Sequence, residues 1–348
     1  MENLLLPLSM ILVQLFTMGM LLLSKIALNK GMQPFVLLGY RNIIGVAFVA
    51  PFAFFMEREM RKKLNWLTCA WIFINAACGV IMALGLYYYG LRDTSAAYSV
   101  NFLNLIPVVT FIIAVIIRVE RLGLGCKEGK VKIIGTVLCV GGTMVVSLYK
   151  GKSLHIWPTH LLKNHGEITS EIIHHNWMRG TLLLVASCLG YAFWFITQVK
   201  LFKIFPSKYW TTMLTCVAGS FQAIIIGVII NREKSTWALS WNMQLFTIIY
   251  SGILNTGATF CLVSWAIARR GPTYPSMFNS LSVIFTTIID SILMGPDITI
   301  GSLLGTCLII GGLYAFLWGK GKELQRYKKK ARESITVCDQ TQSSSDVI

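Results

Sequence analysis

Ten stretches of this chain stay apolar for close to the length of a membrane span: 8–28, 35–56, 67–90, 96–117, 132–149, 181–201, 209–230, 244–266, 274–294 and 300–318. As helix, about 20 residues cross a hydrocarbon core about 30 Å thick. Lipid offers no hydrogen-bond partners, so a spanning backbone must be helix or closed barrel. A barrel would use short alternating segments, and these are long and continuous. Only 13% of the 348 residues are charged, against roughly 25% in soluble domains. The expectation is an all-α membrane protein of about ten transmembrane helices. Gly, Ala, Ser and Thr within the spans suit close helix–helix packing. The opening "MENLLLPL" lacks a basic n-region, so the first span reads as retained and not as a cleaved signal.

Lys and Arg set the expected orientation. With the N-terminus in the cytoplasm, inside segments hold 21 of the 31 basic residues and outside segments 8, with Lys25 and Arg41 inside spans. Both termini are therefore expected in the cytoplasm. The net charge of +16 is then a topology signal and a lipid-headgroup attraction, which removes the reason to invoke nucleic acid.

The fifth span ends in "GTVLCVGGTMVVSLYKGK" (Gly135 to Lys152) and the tenth in "GTCLIIGGLYAFLWGKGK" (Gly305 to Lys322), 170 positions apart with eight of 18 residues identical. "NFLNLIPVVTFIIAVIIRVE" from Asn101 likewise resembles "MFNSLSVIFTTIIDSILMGP" from Met277, pairing Asn104 with Asn279. Pro34 matches Pro206. A copied unit of five helices must cross the membrane in the opposite sense to the first. Two such inverted repeats suit alternating access to one central site. The expected units are 1–149 (first repeat), 150–180 (an outside linker holding all five histidines), 181–322 (second repeat) and 323–348 (a basic, then disordered, cytoplasmic tail).

These features, with "SKIALNKGMQPFVLLGYRN" (24–42), "DTSAAYSVNFLNLIPVVTFIIAVIIRVE" (93–120) and "RRGPTYPSMFNSLSVI" (269–284), resemble the EamA-type drug/metabolite transporters. The resemblance is strongest to their plant nodulin-like branch, with its Walls-Are-Thin and UMAMIT transporters. It implies a carrier of small organic solutes: amino acids in the UMAMIT branch, auxin in the Walls-Are-Thin branch. One departure is at "MGPD", where Pro296 stands in place of the family's frequent acidic residue and Asp297 follows it.

Polar groups within a bilayer face a cavity or a partner. On helix 4, Tyr98, Asn101 and Asn104 share a face and Pro107 follows, freeing a carbonyl. Helix 9 carries Pro272, Pro275, Asn279, Ser280 and Ser282. An Asn amide can meet either end of an amino acid; it can equally bond across helices and only hold the bundle. Helices 1–4 and 6–9 are expected to line the cavity, with 5 and 10 bracing it. Arg41 could fork to a solute carboxylate, with Asp290 as its counter-ion or a proton carrier. Lys25 reads as snorkelling to headgroups. Tyr191, Trp194 and Gln198 in mid-helix 6 could line an aromatic pocket or pack between helices. Most other aromatics, Tyr87, Tyr88 and Tyr89 among them, read as interface-belt residues.

Several functions are excluded or unsupported. "GKS" at 151–153 has Val146 where a phosphate loop needs glycine, so no ATP-driven pump is indicated. No zinc-helix motif or nucleophile–base pair appears, so no enzyme, metal or cofactor is expected. The nine cysteines avoid the outside loops and suggest no disulfide framework. The expected partners are a small organic solute and membrane lipid, with a homodimer open. The plasma membrane is the first expected location and the vacuolar membrane the second. A non-transporting receptor or scaffold on the same fold is the competing class.

Overall fold

Helix α1 (Glu2–Asn29) stops at a glycine that only a permissive backbone could supply. Gly31 has φ of 87°, and Gly31 N and Met32 N return to the carbonyls of Leu28 (3.0 Å) and Ala27 (3.1 Å). This Schellman closure satisfies the helix end and reverses the chain, and Pro34 then opens α2 (Pro34–Met56). The computed structural model describes residues 2–59, 64–94, 96–103, 105–119, 127–149, 153–154, 176–233, 237, 243–282, 284–285 and 298–345.

The remaining helices follow the sequence spans. They are α3 (Trp66–Asp93), α4 in two pieces (Ala96–Leu103 and Ile106–Ile116), α5 (Lys127–Leu148), α6 (Trp177–Ile204), α7 (Lys208–Ile230), α8 (Met243–Arg270), α9 (Thr273–Met277 and the turns after it) and α10 (Ile300–Ser345). Among the described residues seven helices are long and apolar enough to cross a membrane. Large apolar side chains such as Ile116, Leu182, Phe221 and Ile229 stand exposed on the outer surface, as lipid contact requires. The molecule is an all-helical, multi-pass integral membrane protein. Among the described residues its one sheet element is a two-residue ladder joining β1 (Ser153–Leu154) to β2 (Ile298–Thr299).

The repeated glycine motif explains itself in the packing of α5 on α10. A Cβ on Gly135 would stand 2.6 Å from the Gly312 carbonyl, and one on Gly142 would stand 2.8 Å from that of Gly305. The first glycine of each motif thus faces the second of the Gly-Gly pair in the other, as two antiparallel copies about a two-fold axis require. Cys139 Sγ, between them, donates to Ile309 O at 3.4 Å. The β1–β2 ladder closes one end of this brace. At the other end Lys132, buried to 2% exposure, pairs with Glu323 at 3.2 Å.

A second repeat-related pair, α2 and α7, packs behind the centre. Ser220 Oγ donates to Gly39 O at 3.3 Å. Glu57, just after α2, caps α7: its carboxylate accepts from Ser207 Oγ and from the backbone amides of Tyr209 (3.1 Å) and Lys208 (3.3 Å). An acid there complements the positive end of the helix.

Three expectations are corrected. The chain beyond 322 continues as helix to Ser345 instead of a disordered tail; the Lys, Glu, Gln and Arg of 320–330 are good helix formers and extend α10. Lys25 does not snorkel: its Nζ donates to Leu91 O (2.7 Å) and Thr94 O (3.1 Å) at the end of α3, where unpaired carbonyls attract a cation. Tyr87 and Tyr88 are buried, at 2% and 0% exposure, and face inward.

Candidate functional site

The middles of α3 and α8 depart from α geometry in the same way. Residues Ala77–Gly85 and Ser251–Ala258 are wound as π-helix. Both are the third helix of their repeat. π-Segments are rare and concentrate at functional sites. Here they flank a central chamber of about 80 Å³.

The chamber takes its wall from six helices, three per repeat: α1, α3 and α4 from the first half and α6, α8 and α9 from the second. Neither α2 nor α7 contributes, contrary to expectation, because they pack on each other behind it. From α1 come Gln14, Thr17 and Met20; from α3, Gly79 and Tyr87; from α8, Asn255, Thr259 and Phe260.

Polar pairs stitch the two halves together across this space. Gln14 Nε2 donates to Asn279 Oδ1 at 3.1 Å. Thr17 Oγ1 donates to Val13 O (2.8 Å) and reaches Asn255 Oδ1 (3.2 Å). Trp194 lies 4.9 Å from Phe195 and 5.2 Å from Phe260, ring centre to ring centre. Three buried polar atoms on the wall, Tyr87 OH, Trp194 Nε1 and Thr259 Oγ1, have no hydrogen-bond partner among the described residues. Each such atom costs about 1–3 kcal/mol unless something polar meets it. Among the described residues no Asp, Glu, Lys, Arg or His side chain lines the chamber.

Four of the sequence candidates meet there: Tyr191, Trp194, Asn279 and Ser282. Pro107 is buried at the start of the second piece of α4, behind Leu103 and Ile106, which do line the wall. Ser280 is buried outside the lining, with its Oγ unpartnered. Gln198 donates to Ser264 Oγ at 2.6 Å and also stands outside. Arg41, at 0% exposure, sits one layer back. The side chain of Asn101 and the whole of Asn104 and Asp290 lie outside the described residues, as do the histidines of 155–175 and the "MGPD" turn.

The repeat-related helices α4 and α9 break alike. Leu105 N bonds Phe102 O at 3.0 Å, and Leu281 N bonds Phe278 O at 2.9 Å, both tight three-residue turns. Aligned without a gap from Asn101 and Met277, the two stretches match Leu103, and not Asn104 as expected, with Asn279; Leu103 and Asn279 both line the chamber.

Sequence reading missed Gln14, Thr17, Tyr87, Asn255 and Thr259. Gln14 and Thr17 are isolated polar residues in an apolar span, a signal that was there to use. Asn255 and Thr259 lie in or beside a π-segment, where the helical period that predicts a face no longer holds.

The EamA-like transporter family model matches residues 5–148 and 178–318. A WAT1-related protein of Arabidopsis thaliana is 36% identical over 315 residues, covering 87% of each chain. Protein WALLS ARE THIN 1 of Arabidopsis thaliana is 32% identical over 329 residues, 92% of this chain and 85% of that one. A solved crystal structure superposes with a TM-score of 0.62 at 14% identity, over 90% of this chain and 96% of the other; that likeness speaks for the fold alone. Two copies of one five-helix unit, inverted about a glycine brace and enclosing a polar and aromatic chamber, are thus the frame of a non-enzymatic membrane transporter, and this chain belongs to the EamA-like transporter family, among its WAT1-related proteins.

Proposed function

We propose that the protein is a secondary carrier, running as a facilitator or with protons, for small organic solutes, first among them amino acids with apolar or aromatic side chains. The solute enters the chamber from either face in turn as the two repeats exchange conformations. The observation that carries this reading is the wall itself. Three helices from each half supply it, and Tyr87 OH, Trp194 Nε1 and Thr259 Oγ1 stand unpartnered around it. The aromatic cluster at Trp194 and Phe260 suits a flat or branched apolar body, and the amides of Gln14, Asn255 and Asn279 suit the polar end of a solute. The excess of basic residues on one side supports cytoplasmic termini.

Auxin is the second reading. Among the described residues no acidic side chain on the wall stands ready for an ammonium group, which favours a solute that carries a carboxylate alone. Counterflow of labelled phenylalanine, leucine and auxin in proteoliposomes separates the two. Saturable exchange of an amino acid, reduced at least tenfold by Asn279→Ala in folded protein, supports the first. Exchange of auxin alone supports the second. Solute binding without exchange of any of them supports the receptor reading instead.

A further inference from the structure

Arg41 is the puzzle in this membrane interior. Its side chain is fully buried, yet it makes no ion pair among the described residues. Nε donates to Thr256 Oγ1 at 2.8 Å, Nη1 donates to Tyr88 OH at 2.7 Å, and Nη2 has no partner at all. Lys132, the other charged residue buried as deeply among those described, sits against Glu323. A buried cation held only by neutral hydroxyls is costly to keep. A purely structural role would be served more cheaply by a neutral donor.

Its position is close to the chamber. Tyr88 OH, which accepts from Arg41, lies 2.9 Å from Met20 Sδ, and Met20 is on the wall. Thr256, the other acceptor, adjoins Asn255, also on the wall. Two hydrogen bonds therefore separate the guanidinium from the chamber. Among the described residues the wall carries no Asp, Glu, Lys, Arg or His to mask its field, and a low-dielectric interior transmits charge well. In the second repeat, counting from the matched prolines Pro34 and Pro206, the place of Arg41 falls to Met213. The charge is thus a feature of one half only.

We infer that Arg41 is a specificity-determining residue: from behind Met20 and Tyr88 its charge favours solutes bearing a carboxylate over their uncharged isosteres. This rests on the reading of the chamber as the solute site. It acts through the field and through the Tyr88 hydroxyl that it orients, so it is a positioning residue and not a direct ligand in this conformation.

Phenylacetate and phenylacetamide differ in charge and hardly in shape. Their binding to the full-length protein in lipid nanodiscs, followed by tryptophan fluorescence, reads the effect. The intact protein should bind the anion roughly tenfold tighter than the amide, the order expected for one charge acting across a second layer. Arg41→Gln should erase that preference while amide binding persists, and Arg41→Lys should keep most of it. Loss of packing alone would weaken both probes together and leave their ratio unmoved. Equal binding of the two probes by the intact protein overturns the inference and leaves the chamber reading intact, as does a preference that survives in Arg41→Gln. Should Arg41→Gln fail to fold, the intact protein and Arg41→Lys decide it: a preference present in the first and absent from the second also overturns it. Failure of both probes to bind overturns the chamber reading and this inference with it.

Discussion

The brace and the chamber are built from the same two-fold repeat to opposite ends. Where α5 meets α10, glycines bring backbone against backbone, and the seam has room for no side chain at Gly135, Gly142 or Gly312. Where α1, α3, α4, α6, α8 and α9 meet, the helices bend through π-turns and tight turns and leave buried polar atoms unpaired. The brace spends its small residues on contact; the chamber holds some polar atoms left without a partner among the described residues. Stability is concentrated in one region and adaptability in the other, as expected where function needs a part that can open.

Substitutions can break this contrast. The largest effect is expected in the brace. In Gly312→Leu the new side chain starts 2.6 Å from Cys139 N, so the seam must part. The expected cost is about 3 kcal/mol or more, seen as loss of monodisperse protein and a fall in thermal midpoint in detergent. An unchanged midpoint would mean that α5 and α10 do not hold the molecule together.

Next in size is a substitution in the chamber wall. A Cβ on Gly79 would meet Trp194 Nε1 at 2.7 Å. Gly79→Ala should push that ring into the chamber and cut counterflow about tenfold, roughly 1.4 kcal/mol of lost solute interaction. Its thermal midpoint should move less than that of Gly312→Leu. If the midpoint falls as far and transport per folded molecule is normal, the wall is structural.

Lys132→Met tests the polar end of the brace. It removes the partner of a largely shielded Glu323, which keeps Lys320 at 3.9 Å. A destabilisation of about 1–2 kcal/mol is expected, with normal solute affinity in the folded fraction. The smallest change in stability belongs to Tyr87→Phe. That hydroxyl has no partner to lose, so unfolding should shift by less than about 0.5 kcal/mol. Solute binding should weaken about fivefold, the worth of one hydrogen bond. A large stability loss instead would place the hydroxyl in an internal bond.

The brace was legible in the sequence because backbone contact demands glycine and a duplicated motif marks where the two copies meet. Tyr191, Trp194, Asn279 and Ser282 were legible as polar or aromatic groups in mid-span. The opposite wall was harder to read. Gln14 and Thr17 lie in a helix whose other residues give no inward face, since lipid and core are equally apolar. Tyr87 stands in a run of three tyrosines that composition alone assigns to the membrane interface. The π-segments leave no stronger trace than Gly79 with Gly85 and Gly252 with Gly257, and helical periodicity misplaces every side chain after them. Arg41 was visible as a charge within a span, but its distance from the chamber depends on the packing of four helices.

The central claim is that one chamber, shared by two inverted halves, opens to each face of the membrane in turn. A single cysteine at Gln14, in a variant lacking the native cysteines and reconstituted in one orientation, tests it with a membrane-impermeant thiol reagent added to either side. The account predicts labelling from both faces, slowed from both by a transported solute. Labelling confined to one face, whatever the solute, would contradict it.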